Sequence, residues 1–184
     1  MEKNFYDFIG GDWGKWKVLN TYQIKGEGLP SPSHLNIVPS DFEKEQSGIW
    51  RLRGFTSNVR YANRTELNVL SSIQAPLGRE DSNFAALIPI KKSETWWQLS
   101  QDERRHIFEE SSHHTEIGIK FLPQIARKLF HCRDIGEPYD FLTWFEFSSE
   151  NRKDFDLLLE SLRASEEWEY VESEMEIRLE RIEF

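Results

Sequence analysis

The alternation of apolar and polar residues is clearest near the end of the chain. Over residues 171–179, apolar or small side chains at odd positions alternate with charged side chains at even positions. Successive side chains of a β-strand point to opposite faces, so this segment is predicted to be a strand with one buried and one solvated face. Residues 154–163 carry an apolar stripe with helical spacing, and the aromatic segment 141–147 favours another strand. The last third of the chain is therefore predicted to run strand, helix, strand.

The first half of the chain shows the same order less clearly. Residues 16–20, 50–55 and 84–88 are predicted strands, and residues 65–73 repeat leucine or isoleucine every three positions, as expected of a helix. Glycine and proline are frequent over residues 26–48, which are interpreted as a long connection. The pattern favours an α+β protein of two similar units whose sheets combine. The predicted division is residues 1–95 and residues 96–184.

The centre of the chain is predicted to be helical. Ser100 and Glu103 have the spacing of a capping box, which would open a helix running to about residue 112. A second helical stretch is predicted over residues 114–130, where Pro123 must kink the helix or start a new one. On such a helix Arg127 points away from its apolar neighbours, so spacing alone predicts a solvated arginine.

Composition and charge narrow the classes of function. The 184 residues include 32 acidic and 23 basic side chains, giving a net charge of -9. Such a surface disfavours nucleic acid and anionic membranes as partners. No apolar run reaches the ~18 residues of a membrane span, and the start of the chain lacks the layout of a signal peptide. A single cysteine, Cys132, excludes an internal disulfide and suits a reducing compartment, so a cytoplasmic protein is expected.

Two adjacent histidines are the first candidates for chemistry. His114 shares a helical face with Ile117 and Phe121, whereas His113 lies off that face. His114 is therefore either a core histidine bonded to a neighbour or a buried ligand. Other metal-binding patterns are absent from the sequence, but a haem site needs only one axial histidine, an apolar pocket and a few donors. The aromatic content of 14% fits either a large core or such a pocket, and spacing alone identifies no reaction.

Four segments of the sequence resemble the chlorite dismutase family. They are WWQLSQDERR (96–105), SHHT (112–115), HCRDIGEPYDFLTWFE (131–146) and LRASEEW (162–168). The length is similar to that of the short, dimeric lineage of the family. The resemblance implies two ferredoxin-like halves that combine antiparallel sheets into a dimeric α+β barrel. It also implies one haem b per chain, carried by the second half.

The resemblance implies roles for residues on one side of the haem. His114 matches the proximal histidine that binds the iron, and Glu167 matches the carboxylate that accepts a hydrogen bond from its other nitrogen. Lys92 matches the lysine that pairs with this glutamate. A carboxylate at this place orients the imidazole and makes it a stronger donor to iron. Glu166 stays open as an alternative to Glu167, because composition alone makes both a surface charge run.

On the other side of the haem, Arg127 matches the distal arginine of functional family members, which replaces the solvated interpretation. Gln74 matches a glutamine near that arginine. Guanidinium stays charged at any working pH and would hold an anion in a chain of negative net charge. Four further residues lie where the family contacts the haem propionates: Asn58, Arg60, Tyr61 and Trp96.

These matches imply a homodimeric haem b enzyme that converts chlorite to chloride and dioxygen, with O–O bond formation at the haem iron. Two alternatives remain open. One is a haem peroxidase, and the other is a haem-binding or haem-transfer protein without chlorite activity. The sequence leaves the physiological substrate open, with detoxification of chlorite as one hypothesis.

Overall fold

The computed structural model describes residues 5–41, 47–57 and 61–182. Eight β-strands of this part of the chain close into a barrel. They are β1 (Phe5–Gly11), β2 (Trp16–Lys25), β3 (His34–Pro39), β4 (Trp50–Phe55), β5 (Phe84–Lys92), β6 (Ala126–His131), β7 (Phe141–Phe147) and β8 (Val171–Arg181).

The described part of the chain also contains five α-helices. They are α1 (Arg64–Ile73), α2 (Glu94–Gln98), α3 (Gln101–Arg105), α4 (His114–Lys120) and α5 (Arg152–Arg163). A π-helical turn, His106–Ser111, continues α3, and a 3₁₀ turn, Glu166–Tyr170, precedes β8. None of the helices in the described ranges is long and apolar enough to cross a membrane.

The strand order around the barrel is β1-β3-β2-β8-β5-β7-β6-β4, and the pairing of β4 with β1 closes it. The second half, with the order β8-β5-β7-β6 and helices between its strands, has the connectivity of a ferredoxin-like unit. The strands of the first half follow the equivalent order β4-β1-β3-β2. The expected fold of two ferredoxin-like halves with antiparallel sheets is therefore confirmed. The division at residue 95 stays a prediction, although β5 pairs with β7 and β8, which favours a boundary before Phe84.

Strands β5 and β7 bury both of their faces, which explains why their sequences are nearly continuous apolar runs. Inside the barrel, Leu87 and Trp144 pack in a core together with Phe8 of β1. On the outside, Phe145 of β7 packs in a second core with Phe155 of α5. The second core supports the helices that carry the candidate site.

The prediction of a helix throughout residues 114–130 is wrong after Lys120. Residues 126–131 form strand β6, which pairs with β7 along its whole length. A segment this short fits helical and strand spacing equally well, and pairing with a distant strand decides between them. Arg127 is consequently placed by a sheet, which is why the helical argument for a solvated arginine fails. Residues 26–48 also contain a strand that the sequence did not predict, β3.

The predicted solvated face of β8 is buried at its centre. Glu174 and Glu176 are both buried, because α5 lies over them. Arg163 of α5 donates hydrogen bonds to both carboxylates, at 2.6 Å to Glu174 Oε1 and 2.7 Å to Glu176 Oε2. An arginine from another element thus makes burial of these charges possible, and alternation along the strand cannot indicate this.

Candidate functional site

A cavity of about 330 Å³ lies between the outer face of β5, β7 and β6 and the helices α1, α4 and α5. The sheet contributes apolar side chains to its wall, among them Ile88, Ile90, Phe141 and Phe145. Polar groups reach it from separate elements: Lys92, Trp96, His114, Arg127 and Glu167. The cavity thus combines a largely apolar wall with a few polar groups, as small-molecule and cofactor sites do.

Helix α4 begins with His114, and the residue before it has an unusual backbone conformation. His113 has a φ of 52°, in the left-handed region, and its exposed ring lies 3.5 Å from Glu116 Oε2. His114 lies instead on the cavity wall, with its ring stacked on Phe108 at 4.3 Å between centroids. The structure thus places one histidine of the adjacent pair in the cavity and the other in solvent.

A buried carboxylate holds the ring of His114. Glu167 Oε2 lies 2.6 Å from His114 Nδ1, and Glu167 Oε1 lies 2.7 Å from Lys92 Nζ. The backbone N–H of Glu167 donates to Ser112 Oγ at 2.8 Å, which ties the 3₁₀ turn to the start of α4. Glu166, one residue earlier in the turn, is exposed. Of the two glutamates that the sequence could not separate, the structure brings Glu167 to the histidine.

The electrostatics of this group keep Glu167 ionised. Burial alone raises the pKa of a carboxyl, but the charges of His114 and Lys92 and the hydrogen bonds from both outweigh burial and lower the pKa of Glu167 to about 2. The carboxylate is therefore an acceptor for the Nδ1–H of His114. That leaves His114 Nε2, which makes no hydrogen bond within the described ranges, available for a ligand in the cavity.

Arg127 enters the cavity from β6. Its guanidinium forms no hydrogen bond or ion pair with any described residue, and it packs against the backbone of Gly118 in α4. Burial lowers the pKa of Arg127 below its usual value, and the nearby charge of Glu109 partly opposes that effect. Gln74, at the end of α1, donates from Nε2 to the backbone carbonyl of Arg127 at 2.9 Å. The arrangement offers an anionic ligand a cation that makes no ion pair within the described ranges.

The predicted propionate contacts are only partly within the described residues. Asn58 and Arg60 lie outside them. Tyr61 and Trp96 both line the cavity, with ring centroids 6.2 Å apart in an edge-to-face arrangement. Trp96 is fully buried, and its Nε1 has no hydrogen-bond partner in the part of the chain that the structure describes. A buried donor without an acceptor is costly, so this N–H is suited to an acceptor on a bound group.

These groups match haem better than a metal ion held by protein side chains alone. The described ranges contain no cluster of three or more His, Cys, Asp or Glu that could hold a metal ion. One histidine with an open Nε2 is enough for a haem, because the macrocycle supplies the other in-plane ligands. Trp96 Nε1 and the Arg127 guanidinium, which make no hydrogen bond to a described residue, are suitable donors for anionic groups. The residues present therefore fit haem.

Sequence reasoning missed three residues around His114. Phe108 stacks on its ring, Ser112 holds the backbone of Glu167, and Gly118 lies against Arg127. The one available signal was a glycine inside a predicted helix, where glycine is unfavourable relative to alanine. The other two contacts join elements that are distant in sequence or depend on the π-helical turn, and neither has a periodic signature.

A larger depression of about 720 Å³ lies elsewhere, along β2, β8 and α5. Among its charged side chains, Arg163 pairs with Glu176, Arg178 pairs with Asp156 and Glu176, and Arg152 lies over the ring of Phe84. No histidine is among the described residues that line this depression, so the smaller cavity beside His114 is the better candidate.

Fold and site together define an α+β barrel whose second half presents an open histidine to an apolar cavity. The family model described as chlorite dismutase matches residues 31–181. The chain belongs to the chlorite dismutase family.

Among solved structures, a dimeric chlorite dismutase from Nitrobacter winogradskyi is 52% identical, covers 96% of this chain and 99% of its own, and superposes with a TM-score of 0.91. A chlorite dismutase from Candidatus Nitrospira defluvii in complex with imidazole is 18% identical, with 97% and 92% coverage and a TM-score of 0.63. That second likeness concerns the fold alone.

A curated relative, the chlorite dismutase of Ideonella dechloratans, is 28% identical over 147 aligned positions, and the match covers 70% of this chain. The chain spans about half the length of that relative, since the match covers 50% of it.

Proposed function

We propose that this chain is a homodimeric haem b enzyme that converts chlorite to chloride and dioxygen. The observation that carries the proposal is the arrangement of His114, whose Nδ1 is held by the buried Glu167 while its Nε2 is open to an apolar cavity. Membership of the chlorite dismutase family and the 52%-identical dimeric relative support the reaction and the dimer.

His114 is the proposed iron ligand, and Glu167 with Lys92 is its support. The carboxylate fixes the tautomer with the proton on Nδ1 and orients the ring, which strengthens donation from Nε2. Lys92 keeps the carboxylate ionised in a buried place, since an unpaired buried charge would otherwise be neutralised. Trp96 and Tyr61 are proposed to contact the haem propionates, together with Asn58 and Arg60.

When bound, haem would supply the iron at which the oxygen atoms of chlorite are joined. Arg127 is the residue proposed to hold the anions of this reaction. Chlorite is an anion, and any chlorine oxyanion that forms during turnover carries the same charge. A guanidinium with no carboxylate partner among the described residues attracts such anions and prevents their escape, and Gln74 fixes the backbone that carries it.

The test is oxygen evolution from haem-loaded protein mixed with chlorite, followed with an oxygen electrode. The expected result is prompt release of one dioxygen per chlorite consumed. Arg127→Ala should slow turnover and shorten the lifetime of the enzyme, because escaping oxidant would attack haem and aromatic side chains. Arg127→Lys is the matched control, since it keeps the charge and removes the planar donors.

Two outcomes would contradict the proposal. Haem-loaded protein that consumes hydrogen peroxide with a reducing substrate but releases no oxygen from chlorite would be a peroxidase. Protein that binds haem and passes it to an acceptor, with chlorite left unchanged, would be a haem carrier. Full activity and normal lifetime of Arg127→Ala would remove the arginine from the mechanism while leaving the reaction in place.

A further inference from the structure

Gly118 occupies a helical position, where glycine is energetically unfavourable. It lies inside helix α4, one turn after His114, and it is buried. A glycine in a helix is less favourable than alanine by about 1 kcal/mol, since it orders a more flexible backbone. A role that requires the absence of a side chain would explain its presence here.

A side chain at this position would point at Arg127. A Cβ atom built on Gly118 would lie 2.7 Å from Arg127 Nη1 and 3.2 Å from Arg127 Cζ. Both distances are shorter than ordinary contacts between such atoms. Arg127 lines the cavity beside His114, and residues four apart on a helix share one face. His114 and Gly118 therefore lie on the same face of α4, and the place that a Cβ of Gly118 would take is filled by a guanidinium that lines the cavity.

We propose that Gly118 is a cofactor-contact residue, whose lack of a side chain lets the flat macrocycle of haem lie against helix α4. This inference rests on the proposed haem binding at His114. A planar macrocycle is wider than one helical turn of about 5.4 Å, so a ring held by His114 must pass the next turn. At Gly118 that turn offers only backbone.

The Arg127 guanidinium, which lies beside Gly118, and the proposed macrocycle differ in stiffness. The Arg127 guanidinium is the end of a long flexible side chain, and an added methyl group displaces it at little cost. A macrocycle held at His114 cannot bend away. Gly118→Ala should therefore leave the haem-free chain as stable as wild type or more stable, because alanine favours helix, and weaken its hold on haem.

The experiment compares wild type, Gly118→Ala and Gly118→Leu with Gly11→Ala as the matched control. A Cβ on Gly11 would meet only Gly48 Cα at 3.5 Å, an ordinary contact in a distant strand. Haem loss from each haem-loaded full chain is followed by its transfer to excess apomyoglobin. Urea unfolding of the same chains purified without haem measures stability. Release should be about 10-fold faster in Gly118→Ala and at least about 100-fold faster in Gly118→Leu, and unchanged in Gly11→Ala.

Each other outcome is decisive. Release from both Gly118 variants within about 2-fold of wild type would overturn the inference and leave the proposed function intact. Faster release from Gly118→Ala accompanied by a less stable haem-free chain would assign Gly118 a structural role and overturn it as well. A wild-type chain that binds no haem would overturn the proposed function, and this inference with it.

Discussion

Asp7 in the first half and Glu167 in the second are both carboxylates buried beside a cation. Asp7 Oδ1 and Oδ2 accept hydrogen bonds from Arg53 Nε and Nη2 at 2.6 and 2.9 Å, and Ser40 Oγ donates to Oδ1 at 2.8 Å. Glu167 accepts from Lys92 at 2.7 Å and lies 2.6 Å from His114 Nδ1. In both places hydrogen bonds and charge overcome burial and lower the pKa of the carboxyl.

The hydrogen-bonded groups around Asp7 and around Glu167 differ in the last residue of each network. The group around Asp7 joins β1 to β4 and to Ser40, and its pairing fits a purely structural role within the barrel. The group around Glu167 ends in an imidazole whose second nitrogen faces a cavity. Burial, pairing and pKa are thus alike at a structural and a candidate functional carboxylate. The useful distinction is whether the network ends in an atom that faces a cavity and can still bind a ligand.

The largest effect on haem binding should come from removing the imidazole of His114. His114→Ala should abolish stable haem binding, with a loss of affinity of at least about 100-fold, since even supporting residues of metal ligands are worth 10- to 100-fold. Titration of the protein with haemin, followed at the Soret band, measures this loss. His113→Ala is the control, because the exposed His113 ring faces Glu116 and should leave the titration unchanged. A normal Soret band in His114→Ala would move the ligand elsewhere.

The next prediction compares how much the two carboxylates contribute to stability. Glu167→Gln removes the carboxylate charge that pairs with the buried Lys92, and Asp7→Asn removes the one that pairs with Arg53. Each change should lower the free energy of unfolding of the haem-free chain by about 3–5 kcal/mol, the usual result of breaking a buried ion pair. Urea unfolding measures both.

Haem affinity should separate the two variants. Glu167→Gln should weaken it by about 10- to 100-fold, since Glu167 orients His114. Asp7→Asn should leave the affinity of the folded chain unchanged, because Asp7 lies in a different sheet region from the cavity. Equal losses of haem in both variants would show that general destabilisation explains the effect, and the distinction between the two groups would fail.

A smaller effect concerns the acid stability of the first half. The pKa of Asp7 lies below its ordinary value of 3.8 in the folded chain, because hydrogen bonds and charge from Arg53 and Ser40 outweigh burial. The stability that Asp7 contributes is therefore fully present above its unfolded pKa and is lost as pH falls through its lower folded pKa. Urea midpoints between pH 6 and about 3 should show wild type and Asp7→Asn converging as pH falls. A constant difference would contradict the assigned shift.

The sequence predicts a structural element well when the residues of that element alone carry the signal for it. The strands 50–55 and 141–147 were predicted with the bounds that the structure gives, because composition along each segment carries the signal. The start of α3 was also predicted, since Ser100 N–H donates to Glu103 Oε2 at 2.7 Å, a contact between near neighbours. Strand β6 was missed because its pairing with β7, and not its own six residues, determines its structure.

The candidate site shows the same limit. Spacing selected His114 over His113, but only the resemblance to a family pointed to Arg127, Lys92 and Glu167. Those three residues reach His114 or its cavity from β6, β5 and the 3₁₀ turn, so no local pattern contains them. Adjacent glutamates in a charge run look alike in sequence, and the geometry of a single turn buries Glu167 and exposes its neighbour.

The smallest expected effect belongs to a lysine adjacent to the buried group. Lys91 and Lys92 are consecutive in β5, and each pairs with a glutamate, at 2.9 Å to Glu172 and 2.7 Å to Glu167. The Lys91 side chain is 43% exposed and that of Lys92 is 4% exposed, because alternate residues of a strand face opposite sides. Water and salt screen the exposed pair, so Lys91→Met should change the free energy of unfolding by at most about 1 kcal/mol. Lys92→Met breaks the buried pair and should cost about 3–5 kcal/mol, as Glu167→Gln does. Urea unfolding of both variants at low and high salt tests this prediction. Equal losses of stability from the two substitutions would mean that burial does not set the strength of these ion pairs. The contrast between the solvated pair of Lys91 and the buried pair that supports His114 would then be wrong.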